Sequence, residues 1–262
     1  MRSLAATSTA APSPDWQLAA VLVLLVTVAV LASRWGRLDV ERTQVSAAAR
    51  AVAQLAVVSL VIAAALGSVW WSLAFVLLMS VVATFTSAGR IGVPRPQLPW
   101  VGLAIAAGAV PVLALILGSG VVPFNGAGIV PIAGIVIGNT MNAASLAGRR
   151  AYDEITAGFG SYEAALALGL TSHDAAFEVV QPTAKEALTP GLDQTRTVGL
   201  VTLPGAFIGV LLGGGTALEA GAAQVLVLLG LMAGQAITVA VLLRLVASAR
   251  VVRRDLAEVY PK

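Results

Sequence analysis

Seven apolar runs, each long enough to cross a membrane as a helix, constrain this sequence more than any other feature. A hydrocarbon core of about 30 Å requires about 20 helical residues, at about 1.5 Å of rise per residue. The runs lie at about residues 16–33, 46–66, 69–88, 99–118, 128–147, 197–213 and 220–246. Because 58% of the 262 residues are hydrophobic and 11% are charged, a soluble domain of this size is excluded. The predicted fold class is an all-α polytopic membrane protein with seven transmembrane helices.

The basic residues predict the orientation of these helices. Of the 16 Lys and Arg residues, all but Arg2 lie in alternate connections, in the carboxyl-terminal tail or at the adjoining helix ends. The basic connections are residues 34–45, 89–98 and 148–196. The intervening connections, residues 67–68, 119–127 and 214–219, carry no Lys or Arg. Since cytosolic loops are enriched in Lys and Arg, the pattern predicts an external amino terminus and a cytosolic carboxyl terminus (N-out/C-in).

The segment of residues 149–196 is the only long hydrophilic connection in the sequence, and it carries seven acidic residues. An eighth span within it would place these acids in lipid, which is energetically implausible. We therefore expect a cytosolic helical segment. Thr171, with an acidic residue three positions later, is typical of a helix amino terminus. Pro190 with Gly191 predicts the end of a helix before the chain re-enters the membrane near Thr197.

A Glu-Ala-Ala motif, Glu163, Ala164 and Ala165, lies within this segment and is followed by Gly169 and Pro182. The pattern resembles the EAA loop of ABC transporter permeases, a cytosolic coupling helix that docks on the ATPase subunit. Small alanines permit a close approach, Glu supplies a charge-assisted contact, and Gly allows a sharp turn. The resemblance implies an ATPase-coupling role for these five residues. The alternative is that Glu-Ala-Ala only reflects an alanine-rich helix.

Further motifs extend the resemblance over most of the chain. The sequence RTVGLVTLPG at residues 196–205, the sequence IGNTMN at residues 137–142, and the pair Arg50 and Gln54 resemble the FetB-type iron-export ABC permease family, which is related to plant aluminium-tolerance permeases. The resemblance implies one transmembrane permease domain over residues 1–262 that forms a homodimer in the bacterial cell (inner) membrane. It also implies a separate cytosolic ABC ATPase, which binds ATP and Mg, and outward movement of metal ions.

A polar cluster lies in the fifth predicted span, where Asn139, Thr140, Met141, Asn142 and Ser145 fall within two helical turns. Two interpretations are open. The cluster lines a translocation path, offering amide and hydroxyl oxygens to a partly hydrated cation, or it forms interhelical hydrogen bonds. Arg50 and Gln54, one turn apart on the second span, are open to the same two interpretations, as part of a cytosolic gate or as partners of neighbouring carbonyls.

Glycines at four-residue spacing predict close helix packing, within one subunit or between subunits. They are Gly134, Gly138, Gly205, Gly209 and Gly213. No Asp or Glu lies centrally in a predicted span, the sequence has no Cys, and His173 is its single histidine. Metal-ligating residues therefore remain unknown at this stage.

Several classes of function are excluded by the residues present. Neither of the two lysines, Lys185 and Lys262, lies in a phosphate-binding loop, so we expect no catalytic residues and no cofactor bound by this chain. The Ser and His pair or the intramembrane Asp of a membrane protease is missing from the predicted spans. A net charge of +3, with basic residues explained by topology and by contact with membrane lipid, predicts no nucleic-acid partner.

Two alternatives to an iron exporter stay open. Ala206, Phe207 and Val210 depart from the pattern of the resembling family, which leaves the transported ion undecided. The chain could instead be an ABC permease for a different substrate, such as a nucleotide sugar. The second alternative is a non-transporting seven-helix membrane protein, which would not bind an ATPase.

Overall fold

The computed structural model describes residues 15–254, except for the side chains of residues 63–65. All regular secondary structure in this range is helical. The α-helices are α1 (Trp16–Trp35), α2 (Glu41–Leu66), α3 (Val69–Ile91), α4 (Leu98–Gly118), α5 (Gly126–Ala157), α6 (Phe159–Ala167), α7 (Ser172–Val180), α8 (Thr183–Thr197), α9 (Gly205–Leu212) and α10 (Ala217–Ala247). The chain divides into two compact units, one up to Ala64 and one from Ala65 onward, which are described separately.

The described part of the first unit consists of α1 and most of α2. The Asp15 carboxylate caps α1 by accepting a hydrogen bond from the backbone N–H of Leu18 at 2.9 Å. Near the other end of α1, the Ser33 hydroxyl donates to Oε1 of Gln44 on α2 at 3.1 Å. Both helices are long and apolar enough to cross a membrane.

In the second unit, α3, α5 and α10 run in the same direction. The hydroxyl groups of Ser87 on α3 and Ser145 on α5 lie 3.2 Å apart, and one turn farther along both helices Ile91 packs against Gly148. The same holds for α5 and α10. The side chain of Thr140 contacts Gly234, and farther along both chains the Tyr152 hydroxyl donates to the Val251 carbonyl, just after α10.

The parallel direction of α5 and α10 determines the path of the chain between them. Parallel helices begin at the same end of a bundle. The residues that follow α5 must therefore travel back to the other end of the second unit before α10 begins, and α6, α7, α8 and α9 lie on this return path.

Helix α4 runs antiparallel to α10 and approaches it closely at Gly108. A Cβ atom on Gly108 would overlap the carbonyl oxygen of Gly234 and the hydroxyl of Thr238. Farther along, Gly230 of α10 makes room for Val112 of α4. Small residues bring the two backbones together here, as they do at interfaces between transmembrane helices.

Among the helices of residues 15–254, six are long and apolar enough to cross a membrane, namely α1 to α5 and α10. The prediction of one continuous helix over residues 197–213 is wrong, because only Gly205–Leu212 is helical. Gly199 adopts a φ of 81°, in the left-handed region that favours glycine, and Pro204 has no backbone N–H to continue a helical ladder. These two residues leave residues 198–204 outside any regular helix.

Helix α8 extends farther than the sequence predicts. Pro190 with Gly191 predicts a helix end, yet α8 continues through both residues to Thr197. A proline inside a helix removes one backbone donor, which is tolerated where neighbouring helices hold the segment in place. Here α8 packs against α5 and α10, with Thr183 and Ala187 buried.

Gly108→Ala is expected to lower the free energy of unfolding by about 1–3 kcal/mol, because the added methyl group forces α4 away from α10. Thermal unfolding of the detergent-purified protein, followed by its loss of monodispersity, measures the effect. Gly221→Ala on α10 is the matched control, since no heavy atom lies within 4 Å of its Cβ position. A Gly108→Ala variant as stable as Gly221→Ala would contradict this packing.

Candidate functional site

Helix α7 is held firmly against the helices of the second unit. Ala175, Ala176 and Val180 are buried, and α7 packs on both α5 and α10. The Nδ1 atom of His173 lies 3.2 Å from the hydroxyl of Ser248, which directly follows α10. These contacts tie α7 to the carboxyl-terminal ends of α5 and α10.

Helix α6 is exposed by contrast. Each of its residues, all of which the structure describes, is at least partly accessible to solvent. Glu163 and Ala164 are exposed and Ala165 is half-buried. Leu168, directly after α6, is 82% exposed. The helix and the residue after it thus present small residues, one carboxylate and an apolar side chain on an exposed surface.

Gly169 makes the turn between α6 and α7, with a φ of 92°. This left-handed conformation favours glycine, as the predicted sharp turn requires. The Thr171 hydroxyl accepts a hydrogen bond from the backbone N–H of Asp174 at 3.1 Å, so the predicted helix start at Thr171 is confirmed. Pro182 occupies the N-cap position of α8. Glu163, Gly169 and Pro182 therefore mark successive parts of one helical segment rather than a single cluster.

Arginine side chains gather at the end of the second unit where α5 and α10 finish. The Arg250 guanidinium lies 4.5 Å from the centroid of the Trp100 ring. Arg253 pairs with Asp153 at 3.2 Å. The described connections at the opposite end, residues 119–125 and 213–216, contain no Lys or Arg. The second unit thus has one basic end, where α6 and α7 also lie, and one end without basic side chains.

The residues of the predicted polar cluster on α5 differ in their exposure to solvent. Thr140 and Ser145 are buried, Asn139 and Met141 are half-buried, and Asn142 is exposed. The Thr140 hydroxyl donates to carbonyls of its own helix, and the Asn139 amide donates to the Ile135 carbonyl at 2.9 Å. These bonds lie within α5, and of the buried members only Ser145 also reaches another helix, through the Ser87 hydroxyl at 3.2 Å. The two interpretations of the cluster, a translocation path and interhelical hydrogen bonds, both stay predictions.

The exposed member of the cluster has a partner that sequence reasoning missed. Nη1 of Arg90, at the end of α3, donates a hydrogen bond to Oδ1 of Asn142 at 2.9 Å. The sequence placed Arg90 in a cytosolic connection, and a contact between two helices leaves no local signal in the sequence. Together, Arg90 and Asn142 offer an exposed guanidinium and amide near the basic end of the second unit.

The remaining predicted residues are placed separately. Arg50 and Gln54 lie on α2 in the first unit.

The predicted packing glycines make few contacts inside the second unit. Gly134 is in ordinary contact with the sulfur of Met79 at 3.7 Å, and Gly213 ends α9. The other predicted packing glycines have no heavy atom within 4 Å of their Cβ positions; they are Gly138, Gly205 and Gly209. Close contacts inside the second unit are made by other glycines, among them Gly108, Gly148 and Gly234. A packing role for Gly138, Gly205 and Gly209 between subunits stays a prediction.

Six apolar helices, a basic end and relatives known as membrane proteins define the chain as a multi-pass protein of the bacterial inner membrane. Residues 16–250 match the family described as Uncharacterised protein family (UPF0014). This match spans most of the sequence, and the chain belongs to that family.

Three relatives show the range of the family. The UPF0014 membrane protein STAR2 of Oryza sativa subsp. japonica is 34% identical over 82% of this chain and 76% of its own length. Protein ALUMINUM SENSITIVE 3 of Arabidopsis thaliana is 34% identical over 83% and 80%. The probable iron export permease protein FetB of Escherichia coli (strain K12) is 29% identical over 74% and 76%. No solved structure matches the chain. The resemblance to iron-export permeases and their plant relatives is thereby confirmed.

Ser145→Ala is expected to cost less than about 1 kcal/mol of unfolding free energy, because hydrogen bonds between transmembrane helices contribute about 0.6 kcal/mol on average. Thermal unfolding in detergent measures this loss. Ser80→Ala is the control, since the Ser80 hydroxyl donates within its own helix to the Val76 carbonyl at 2.9 Å. Failure of Ser145→Ala to fold, with Ser80→Ala intact, would show that the Ser87–Ser145 contact has been undervalued.

Proposed function

We propose that this chain is the membrane-spanning permease subunit of an ABC transporter that exports metal ions, with iron as the candidate substrate. The observation that carries the proposal is the contrast between α6 and α7. The exposed α6 bears the Glu-Ala-Ala motif, whereas the adjoining α7 is buried against α5 and α10. A helix that is free on one side and rigidly attached on the other suits a docking lever.

The orientation follows from the basic residues. With the basic end of the second unit in the cytosol, α6 and α7 face the compartment that holds ATP. The parallel direction of α5 and α10 supports a further crossing between them, which gives seven crossings with the amino terminus outside and the carboxyl terminus inside. The Glu-Ala-Ala motif then lies in the cytosolic connection before the last two crossings.

Coupling would proceed from α6 into two membrane helices. Gly158 is the only residue between α5 and α6, and its backbone N–H donates to the Glu154 carbonyl at 2.7 Å, so α6 follows directly from α5. Phe177 of α7 lies under the guanidinium of Arg244 on α10, 6.0 Å from the ring centroid. Movement of a docked ATPase would therefore tilt α5 and α10 together, as a rigid-body transition driven from an interface.

The partner supplies the chemistry in this proposal. The separate ATPase binds ATP and Mg, and two copies of the permease form the pathway. The described residues hold no group of three or more His, Asp or Glu side chains placed to bind a metal ion. Amide and hydroxyl oxygens, as on Asn139 and Asn142, suit weak contact with a hydrated cation in transit. Iron is proposed because a relative is named a probable iron export permease.

Leu168→Glu is expected to abolish stimulation of the partner's ATP turnover, because it places a charge in the apolar contact at the tip of α6. Co-purification with candidate ATPase subunits and assay of ATP hydrolysis, with and without iron(II), measure the effect. Leu218→Glu is the matched control: Leu218 is 84% exposed, close to the 82% of Leu168, but lies at the beginning of α10, at the other end of the second unit.

Glu163→Arg and Gly169→Trp are expected to weaken the same association. A complex that tolerates Leu168→Glu, Glu163→Arg and Gly169→Trp as well as Leu218→Glu would contradict docking on α6. No association with any ATPase would favour the non-transporting alternative.

Single cysteines test the orientation directly, because the natural chain has no cysteine. A cysteine introduced at Ser119, after α4, is expected to react with an impermeant thiol reagent added outside intact cells. A cysteine at Leu168 is expected to react only after the cells are opened. The reverse pattern would overturn the N-out/C-in orientation.

A further inference from the structure

Helix α8 reaches much farther along α5 and α10 than a cytosolic connection requires. Near its beginning, Oε2 of Glu186 pairs with Nε of Arg150 on α5 at 3.1 Å. Farther along, Gly191 lies directly against Gln235, and a Cβ atom on this glycine would overlap the Gln235 amide oxygen. Since Gln235 is a buried residue in the interior of α10, α8 runs antiparallel to α5 and α10 and enters the middle of the second unit.

The charged residues of α10 show how far the contact between Gly191 and Gln235 lies from either end of this helix. Glu219 and Arg244 are the only charged residues of that helix, and about 37 Å of helical rise separates them. A hydrocarbon core of about 30 Å fits between these two side chains. Gln235 lies about 24 Å from Glu219 along the helix. Because α8 continues past Gly191 toward the Glu219 end, Asp193 lies about 21 Å from the level of Glu219 along the α10 axis, and Arg196 about 16 Å. These two residues therefore lie on either side of the midpoint between Glu219 and Arg244.

Helix α9 completes the return to the other end. It packs along α10 and joins it through residues 213–216, where Thr216 and Glu219 form a capping box. Its eight residues rise about 12 Å, which covers most of the distance that remains beyond Arg196. Residues 198–204 fill the gap without a regular helix, and the Gly199 N–H donates to the Thr202 carbonyl at 2.9 Å.

The charged side chains next to this break are neither buried nor matched to lipid. Asp193 and Arg196 form an ion pair at 3.2 Å, with side chains 58% and 73% exposed. Leu200 and Val201 in the break are also exposed. Non-helical backbone and charged side chains occur at membrane depth where they are covered by protein or line a water-filled cavity, and lipid contact is strongly unfavourable.

We propose that the seventh crossing is a broken helix, α8 followed by α9, and that its exposed face at Asp193, Arg196 and residues 198–204 lines a water-filled path alongside the second unit. Discontinuous helices serve this purpose in other transporters, where half-helix ends and unwound carbonyls face the solute. A solute on this path would face the Asp193 carboxylate, the Arg196 guanidinium and the backbone of residues 198–204. The identity of that solute rests on the proposed function, whereas the water-filled path does not.

Thiol accessibility in membranes tests the path without any ATPase or metal ion. Single cysteines replace Leu200 and Val201 in the full-length chain, and their rates of reaction with a water-soluble, positively charged methanethiosulfonate are measured. Leu115→Cys on α4 and Leu229→Cys on α10 are controls, since both side chains are exposed and lie near the same depth. Only a hydrated thiol ionises and reacts quickly.

We expect Leu200→Cys and Val201→Cys to react at least about tenfold faster than both controls, because thiolate forms only where water reaches it. Two adjacent positions guard against a single variant that fails to fold. Rates at both positions as slow as at Leu115→Cys and Leu229→Cys would overturn the inference. Because this readout needs no nucleotide or partner, its failure is distinct from failure of the ATPase assay.

A second arm tests whether the ion pair lies on the path. In the Val201→Cys background, the ratio of rates with a cationic and an anionic reagent reports the local electrostatic potential. Asp193→Asn is expected to lower this ratio several-fold and Arg196→Gln to raise it. The control is Glu186→Gln, near the beginning of α8 at the basic end of the second unit, and it is expected to leave the rate ratio unchanged. A ratio unmoved by both substitutions would remove Asp193 and Arg196 from the path.

Discussion

The parallel direction of α5 and α10 is the constraint on which the rest of the second unit depends. Contacts at Thr140 with Gly234 and at Tyr152 with Val251 fix this direction. Parallel neighbours cannot be joined by a short loop, so a long stretch of chain must turn at the basic end and return. The turn holds α6 and α7, which we propose as the docking lever, and the return holds α8 and α9, which we propose as the broken crossing.

The same geometry links the two proposed regions. Helix α8 begins directly after Pro182 at the end of the lever and contacts α10 at Gln235, deep in the unit. A displacement of α7 would therefore reach the break along two routes, through α8 and through the end of α10 near Ser248. The close contact at Gly108 holds α4 against α10, so α10 would tilt as part of a packed pair rather than alone.

The sequence could predict features that depend on local chemistry. Apolar runs such as residues 69–88 predicted membrane helices because burial in lipid needs length and hydrophobicity. The helix start at Thr171 was predictable from one hydroxyl and one backbone N–H. The Glu-Ala-Ala motif followed by Gly169 predicted a coupling helix and a sharp turn, and the turn is present at Gly169. The family that the motifs resembled is the one that the comparisons show.

Features that depend on tertiary contacts were beyond sequence reasoning. Pro190 breaks isolated helices, yet α8 continues through it because α5 and α10 hold the segment. The predicted helix end led to the expectation that the chain re-enters the membrane near Thr197, with Asp193 outside every predicted span. The spacing of Gly205 and Gly209 predicted close packing within one subunit or between subunits, and within the described residues no heavy atom lies within 4 Å of either Cβ position. The close α4–α10 contact is formed at Gly108, which has no such spacing signal.

The most direct test of the central proposal is ion movement driven by the partner. The chain and its ATPase subunit are reconstituted in sealed vesicles, and the transmembrane movement of iron(II) is followed after ATP is added to the side that carries α6 and α7. The proposal predicts ATP-dependent transport away from that side, and no transport when the permease or the ATPase is omitted. ATP hydrolysis by the complete complex without movement of iron(II) or any other metal ion would contradict it.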